Sequence, residues 1–155
     1  MKVQERDSGI EGWSPTRDEL NEWLRGQVLC TLSTLDRTGA PESATVAFSV
    51  TETGELLIGT SALSHKSQNV DRDERVAVVV TDSDERLTAQ MQGSARKLAQ
   101  KVFELSYADE HYRQRPESLP FKDEPGQCHI LVTPSYTKFS DASVHPWLIT
   151  EFDSH

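Results

Sequence analysis

The sequence predicts a mainly β protein, in which six or seven antiparallel strands and a few short helices form one closed or partly closed barrel. Three observations support this prediction. Turn residues at 36–39 and 52–54 separate consecutive strand-like segments, residues 75–81 form a nearly unbroken apolar run, and apolar residues alternate with polar ones from Leu87 to Gly93. The chain has 155 residues, 35% of them hydrophobic, which is enough for a single buried core.

A helix is predicted from Thr16 to Arg25, after a polar segment, residues 1–15, that we expect to be flexible. Acidic side chains occupy the first turn of this helix, where they suit the positive end of the helix dipole. Its apolar side chains share one face, and Gly26 can end it. We therefore expect the apolar face, made by Leu20, Trp23 and Leu24, to cover the sheet.

The strands follow this helix and are interrupted by two further helical segments. The first three strands are joined by short turns and should form an antiparallel sheet. No repeat or low-complexity segment marks a boundary, so residues 16–155 are expected to form one domain. The predicted strands are 28–35, 42–51, 55–60, 75–81, 86–99 and 127–139, with a short final segment at 147–152 that can pair as a further strand, and the predicted helices are 64–71 and 99–113.

The charge of the chain argues against two classes of partner. Its 16 basic and 25 acidic side chains give a net charge of −9, which disfavours nucleic acid and anionic membranes. The apolar runs are far shorter than the roughly 18 residues of a transmembrane helix, and residues 1–7 lack the apolar core of a signal peptide. We therefore expect a cytoplasmic protein. Cys30 and Cys128 have no Cys-x-x-Cys spacing and are predicted to be buried, reduced thiols.

The segment from Leu56 to Asn69 is the strongest indication of a binding site. An apolar strand ends in Gly59 and Thr60, and Ser64 is a good N-cap for the helix that follows. Lys66 then lies in the first helical turn, where the helix dipole disfavours a cation. A phosphate monoester bound there would reverse that preference, because free N–H groups, two hydroxyls and the ammonium group would converge on it. The alternative is a strand, a turn and a solvated helix start without a ligand.

Four stretches of the sequence, taken in order, resemble one family. They are Cys30 to Asp36 with Gly39 and Pro41; Leu56 with Ile58 to Thr60; Ser64, Lys66, Asn69, Val70, Asp73 and Arg75 to Ala77; and Gln92, Gly93 and Ala95. Together they resemble the pyridoxamine 5'-phosphate oxidase-like FMN-binding split-barrel superfamily, with a looser similarity at 130–141. The resemblance implies a six-stranded antiparallel split barrel with Greek-key connections, an N-terminal helix and two short helices. It also implies a homodimer with flavin sites at the subunit interface.

The resemblance assigns roles to individual residues. The positions that hold the FMN phosphate correspond to Gly59, Thr60, Ser64, His65 and Lys66, and the strand whose backbone runs beside the isoalloxazine ring corresponds to Thr45, Val46 and Ala47. The superfamily often places a side chain near Thr88, Gln90 and Gln92 close to the flavin of the other subunit, whereas the strand pattern alone explains them as outward polar positions. Trp147 is a candidate to stack on the flavin, with anchoring of the last strand as the alternative.

The sequence departs from the family pattern at two places. His65 stands where many members have arginine, and a neutral histidine offers one contact to a phosphate instead of a bidentate fork. In addition, the final segment 144–152 contains no arginine, whereas true pyridoxamine 5'-phosphate oxidases end in a basic segment that holds the substrate phosphate. The chain is therefore more similar to short, poorly characterised members than to the vitamin B6 oxidases.

The resemblance implies an FMN-binding flavoprotein that acts as a flavin-dependent oxidoreductase on an unknown small molecule, with NAD(P)H as a candidate electron donor. The flavin would supply the redox chemistry, so no catalytic side chain is assigned. Two alternatives stay open. One is the same fold with a deazaflavin or haem in place of FMN, and the other is a dimer that binds flavin or a small anion without catalysis.

Other chemistries lack the residues that they require. A His-Glu-x-x-His motif, a Walker loop and a Gly-x-Ser-x-Gly elbow are all absent, and the five histidines are scattered. The one local cluster, Asp109 to His111, lies on a predicted helix where adjacent side chains diverge. We therefore expect no metal site and interpret that cluster as a solvated helix face.

Overall fold

The computed structural model describes residues 12–153, and the elements within this range form a single curled antiparallel sheet with helices around it. The helices are α1 (Arg17–Arg25), α2 (His65–Arg72), α3 (Gln100–Ser106), α4 (Ala108–Gln114) and a 3-10 helix (Pro116–Phe121). The strands are β1 (Leu29–Leu35), β2 (Pro41–Ala47), β3 (Ser49–Val50), β4 (Leu56–Ser61), β5 (Arg75–Asp82), β6 (Leu87–Lys97), β7 (Gln127–Asp141) and β8 (Leu148–Asp153).

Residues 1–11, most of the segment predicted to be flexible, lie outside the described range. Within the remainder of that segment, the Trp13 N–H donates to Asp141 Oδ2 at 2.7 Å, and the hydroxyls of Ser14 and Thr150 lie 2.7 Å apart. The Trp13 ring also meets Phe139 edge-on, with 5.4 Å between ring centroids. The boundary of the predicted flexible segment at residue 15 stays a prediction.

Helix α1 begins and ends as its sequence predicts. The Thr16 hydroxyl accepts from the Glu19 N–H at 3.2 Å, while the Glu19 carboxylate accepts from the Thr16 N–H at 3.0 Å, which completes a capping box. Gly26 follows the last turn. The buried residues of α1 are the three predicted ones, Leu20, Trp23 and Leu24, and they pack into the main core.

The order of the strands explains how the sheet closes. The order is β2-β1-β5-β6-β7-β4-β3, with β8 paired to the second half of β7. Its two ends, β2 and β3, belong to one extended segment, 41–50, that is divided only at Phe48. This segment pairs with β1 before Phe48 and with β4 after it. The sheet therefore curls onto itself as a split barrel, and the inward-facing side chains form the main core.

The antiparallel split barrel is confirmed, but the predicted number of elements is not. Among residues 12–153 there are eight strands instead of six or seven, because the strand predicted at 42–51 changes partner at Phe48. The last segment, predicted to be able to pair as a further strand, does pair with β7. The helix predicted at 99–113 is two helices that meet at Tyr107, whose φ of −129° is not helical. The bend allows Phe103 and His111, eight residues apart, to face the same cluster of rings.

Gly93 marks an irregularity in the longest strand pair. The register between β6 and β7 shifts at Gln92 and Gly93, and a Cβ atom on Gly93 would overlap the carbonyl oxygen of Thr133. Only glycine allows the two backbones to approach so closely. This bulge lets the 15-residue strand β7 bend around the barrel.

The second core lies on the outside of the sheet, under α3 and α4. Its members are Leu57, Leu98, Phe103 and Leu131. Gln114 of α4 also covers the open edge of β3, since its side-chain amide accepts from the Val50 N–H at 2.9 Å and donates to the Val50 carbonyl at 2.8 Å. No helix in the part of the chain that the structure describes is long and apolar enough to cross a membrane.

Candidate functional site

The start of α2 has the geometry that its sequence predicts. Ser64 is the N-cap, and its hydroxyl accepts from the Ser67 N–H at 3.3 Å while its carbonyl accepts from the Gln68 N–H at 3.2 Å. The N–H groups of His65 and Lys66 come before these bonds and have no partner within the helix. They point out of the positive end of the helix dipole, where an anion is stabilised.

The hydroxyl groups next to this helix start are already engaged. Thr60 Oγ1 donates to Ser64 Oγ at 3.3 Å, and Ser64 Oγ donates to the Ser61 carbonyl at 2.8 Å. Lys66 is half-buried, and no carboxylate of residues 12–153 lies within ion-pair distance of its ammonium group. The N–H groups of His65 and Lys66 therefore have no partner in the helix, and the Lys66 ammonium group has no carboxylate partner among residues 12–153, whereas the hydroxyls of Thr60 and Ser64 already donate hydrogen bonds.

The side chain of His65 in α2 is hydrogen-bonded to the carboxylate of Glu42 in β2. Its Nδ1 lies 3.0 Å from Glu42 Oε2, and its side chain is 80% exposed. The hydrogen bond from His65, and after it the one from Asn69, holds the pKa of Glu42 below its usual range. The position where the family often has arginine is therefore paired with a negative charge of the chain itself.

Asn69 has a structural role that its sequence position did not reveal. The sequence predicts it only as a helix C-terminal residue. Its side chain is 2% exposed and joins α2 to the hairpin formed by β1 and β2. Its Nδ2 donates to Thr34 Oγ1 at 3.0 Å and to Glu42 Oε1 at 3.3 Å, and its Oδ1 accepts from Arg72. The bonds to Thr34 and Glu42 hold α2 against β1 and β2.

The strand predicted to run beside a flavin ring lies at an end of the sheet order. Val46 packs against the core and is half-buried, as is Ala47, while Thr45 is exposed. Phe48 donates its N–H to the Val28 carbonyl at 3.2 Å, so alternate residues of this segment direct their backbone groups toward β1. Thr45 and Ala47 consequently direct their N–H and carbonyl groups to the other edge, where β2 has no strand partner among the described residues.

The other predicted site residues lie elsewhere in the chain. Gln90 shares the outer face of the sheet with Thr45, three strands and roughly 14 Å away. Thr88 lies farther along β6, opposite Thr81. Trp147 is 60% exposed in this chain, and its assignment as a flavin-stacking or strand-anchoring residue stays a prediction. Trp147 precedes β8, and β8 pairs with the end of β7. Thr60 pairs with Cys128 near the start of β7, roughly 40 Å away along that strand.

A pair of buried histidines lies behind the site and was missed in the sequence. His111 is 3% exposed and its Nδ1 lies 2.7 Å from Ser49 Oγ, so the interpretation of Asp109 to His111 as a solvated face is wrong for His111. His129 is 2% exposed and stacks on Phe103 at 3.5 Å between ring centroids. Neither ring nitrogen of His129 has a hydrogen-bond partner within the described range. The apolar run around His129 was the available signal, because such a run is buried on both faces.

Gly59 connects this histidine pair with the candidate site. It pairs with His129 across β4 and β7, and a Cβ atom on Gly59 would lie 3.5 Å from His129 Nε2 and 3.2 Å from Gln127 Nε2. A small residue therefore lets the imidazole lie close to the strand that ends in Thr60. Gly59 has a packing role here in addition to the binding role that the resemblance implies.

The described residues contain no group of three or more His, Cys, Asp or Glu side chains that is arranged to hold a metal ion. Both cysteines are free thiols. Cys30 is buried, which raises its pKa to about 12, whereas Cys128 is only half-buried and lies 3.5 Å from the Ser67 hydroxyl. The prediction of two buried thiols is therefore correct for Cys30 alone.

Comparisons with solved structures show the same fold at low identity. A pyridoxamine 5'-phosphate oxidase-related, FMN-binding protein from Nostoc punctiforme aligns with a TM-score of 0.69 and 15% identity over 92% of each chain. A haem-binding protein from Mycobacterium smegmatis aligns with a TM-score of 0.72 and 14% identity, over 91% of this chain and 59% of that one. A conserved hypothetical protein from Mycobacterium tuberculosis gives 0.71 and 18%, over 85% and 88%.

At the level of sequence, no curated protein matches the chain. The family model described as pyridoxamine 5'-phosphate oxidase, however, matches residues 16–138, which is most of the chain. This match covers α1, the split barrel as far as β7 and the start of α2. The chain therefore belongs to the pyridoxamine 5'-phosphate oxidase family, within the FMN-binding split-barrel superfamily.

Proposed function

We propose that this chain is an FMN-binding flavoprotein that acts as a flavin-dependent oxidoreductase on a small molecule. One observation carries the proposal. Lys66 lies unpaired among the described residues in the first turn of α2, next to two N–H groups that have no partner in the helix. FMN, when bound, supplies the electron-transfer chemistry. The chain's own residues then need only to bind and orient the cofactor.

The donors present are suited to different parts of this cofactor. The Lys66 ammonium and the N–H groups of His65 and Lys66 would hold the phosphate, because charge-assisted bonds to an anion are the strong ones. The backbone groups of Thr45 and Ala47 at the open edge of β2 would pair with the uncharged polar edge of the ring. A strand edge offers both donors and acceptors there without any charge.

We also propose a homodimer formed through the outer face of β2, β1, β5 and β6. The central positions of this face are uncharged, although 26% of the chain is charged, and the charged Arg75 and Arg96 lie at one end of it. An uncharged stretch of exposed sheet suits contact with a second copy. In such a dimer, Thr88, Gln90 and Trp147 of one copy could reach the cofactor of the other. The face includes Leu29, Thr31, Ser33, Thr45, Ala77, Val79, Gln90 and Gln92.

Haem or a deazaflavin in place of FMN is the second candidate. It is favoured by the Glu42 carboxylate, which engages His65 and leaves one free cation for a phosphate dianion. One solved structure with the same fold is described as a haem-binding protein. Parallel titrations with FMN, a deazaflavin and haem would distinguish these ligands.

The first test is a titration of FMN by fluorescence quenching, with Lys66→Ala as the variant. Loss of a charge-assisted contact of about 1.5–3 kcal/mol should weaken FMN binding roughly 10- to 100-fold. Riboflavin, which has no phosphate, should bind both proteins equally. Lys122→Ala is the control, since Lys122 is an exposed lysine in the loop after the 3-10 helix.

Two outcomes would contradict the proposal. One is a wild-type protein that binds no FMN at micromolar concentration, and the other is equal FMN affinity in Lys66→Ala and wild type. The oxidoreductase part is tested separately by steady NAD(P)H oxidation with added FMN, and the dimer by light scattering in solution. Absence of turnover with saturating FMN would leave a flavin-binding protein without this catalysis.

A further inference from the structure

Glu42 reaches across from β2 to the first turn of α2. Its Oε2 lies 3.0 Å from His65 Nδ1, and its Oε1 accepts from Asn69 Nδ2 at 3.3 Å. Asn69 is itself buried and bound to Thr34 and Arg72, so one of the two partners of the carboxylate is immobile. The carboxylate is therefore held in place beside the helix start.

The charge of this carboxylate opposes an anion at the same place. Its hydrogen bonds keep Glu42 ionised at neutral pH. Among residues 12–153 no arginine or lysine lies within ion-pair distance of it, and its hydrogen-bond partners there are His65 and Asn69. The Glu42 carboxylate therefore adds a negative charge beside the first turn of α2, the turn that also carries Lys66.

The contact with Glu42 also decides which ring nitrogen of a neutral His65 carries the proton. An ionised carboxylate only accepts hydrogen bonds, so the proton of a neutral His65 ring must be on Nδ1. The other nitrogen, Nε2, then presents a lone pair, which repels the oxygen atoms of a phosphate. While the ring is neutral, Glu42 therefore removes the His65 side chain, though not its backbone N–H, from the set of donors, in addition to contributing its own negative charge.

We propose that Glu42 sets the affinity of the α2 site by opposing the phosphoryl group of its ligand, so that the cofactor binds weakly and reversibly. The proposal rests on the proposed function, because it concerns the same phosphate. It adds the effect of one carboxylate to the loss of contacts that results from a histidine in place of an arginine. A ligand with a single negative charge on its phosphate would be affected less than FMN.

The test is Glu42→Gln, which keeps an oxygen for Asn69 and removes the charge. FMN should bind this variant about tenfold more tightly than wild type, which equals about 1.4 kcal/mol. Riboflavin should bind both proteins equally, because it lacks the phosphate. The control is Glu55→Gln, a carboxylate of the same sheet that accepts from Thr133 Oγ1 at 2.7 Å and lies at the other end of β4.

The outcomes separate this proposal from the proposed function. Suppose that wild type binds FMN and that Lys66→Ala weakens this binding. Unchanged or weaker FMN binding by Glu42→Gln then overturns the role of Glu42 and leaves the proposed function standing. If neither wild type nor Glu42→Gln binds FMN, both proposals fail. Binding that appears only in Glu42→Gln supports the opposing carboxylate. Thermal unfolding of each variant shows whether the fold is intact, and Glu42→Asn, which also lacks the charge, replaces a variant that does not fold.

Discussion

Lowering the pH from 7.5 to 5 should destabilise this protein, because the folded state holds two histidines in their neutral form. Burial lowers the pKa of His111 from 6.5 to about 4, and the positive charge of Arg115 adds to the effect. Burial likewise lowers the pKa of His129 from 6.5 to about 4, with a further contribution from His111. The two rings lie 5.5 Å apart between centroids, so a proton on one also disfavours a proton on the other.

These pKa values give the direction and the magnitude of the change in the free energy of unfolding with pH. The unfolded chain takes up protons first as the pH falls through 6.5, so the stability from neutral histidines is complete above that pH and is lost toward pH 4. At pH 5 each histidine should reduce the free energy of unfolding by about 2 kcal/mol, and the two together by about 4 kcal/mol. This is a large share of the roughly 5–15 kcal/mol typical of a domain.

Urea denaturation at pH 7.5 and pH 5 measures the effect. The window is chosen because carboxylates titrate mainly below it. His129→Phe keeps a ring that can stack on Phe103 and should lose about half of the pH dependence. A free energy of unfolding that differs by less than about 0.5 kcal/mol between the two pH values would refute the assignment of both histidines as neutral, buried groups. An unchanged pH dependence in His129→Phe would refute it for His129.

Two further predictions concern the framework that holds the site. Gly93→Ala should lower the free energy of unfolding by more than about 2 kcal/mol, because the new Cβ meets the Thr133 carbonyl. Gly126→Ala is the control and should cost only about 1 kcal/mol, from backbone strain alone. Equal losses of the two variants in urea denaturation would contradict this prediction. Thr16→Ala should cost about 1 kcal/mol through loss of the capping box, and Thr16→Ser should restore most of it. A melting temperature of Thr16→Ala equal to that of wild type would show that the cap does not stabilise α1.

Much of the fold could be predicted because its causes are local. The capping box at Thr16, the serine cap of α2 and the alternation along β6 each depend on residues a few positions apart. The same holds for the candidate site, since the position of Lys66 in the first turn follows from Ser64 alone. The bend at Tyr107 was not predicted, because it depends on contacts of Phe103 and His111 with the sheet.

The sequence by itself determined the antiparallel strands, the helix start with its lysine and the family to which the chain belongs. Only the tertiary structure decided that the segment 41–50 closes the barrel, that Ser49 meets His111 across 62 positions and that Glu42 meets His65 across 23. Strand and helix periodicity and helix caps depend on residues that are neighbours in the sequence. The contacts between distant side chains depend instead on the order of the strands and on where the chain changes its strand partner. The Glu42 carboxylate beside the start of α2 is of the second kind, because only the fold brings β2 and α2 together.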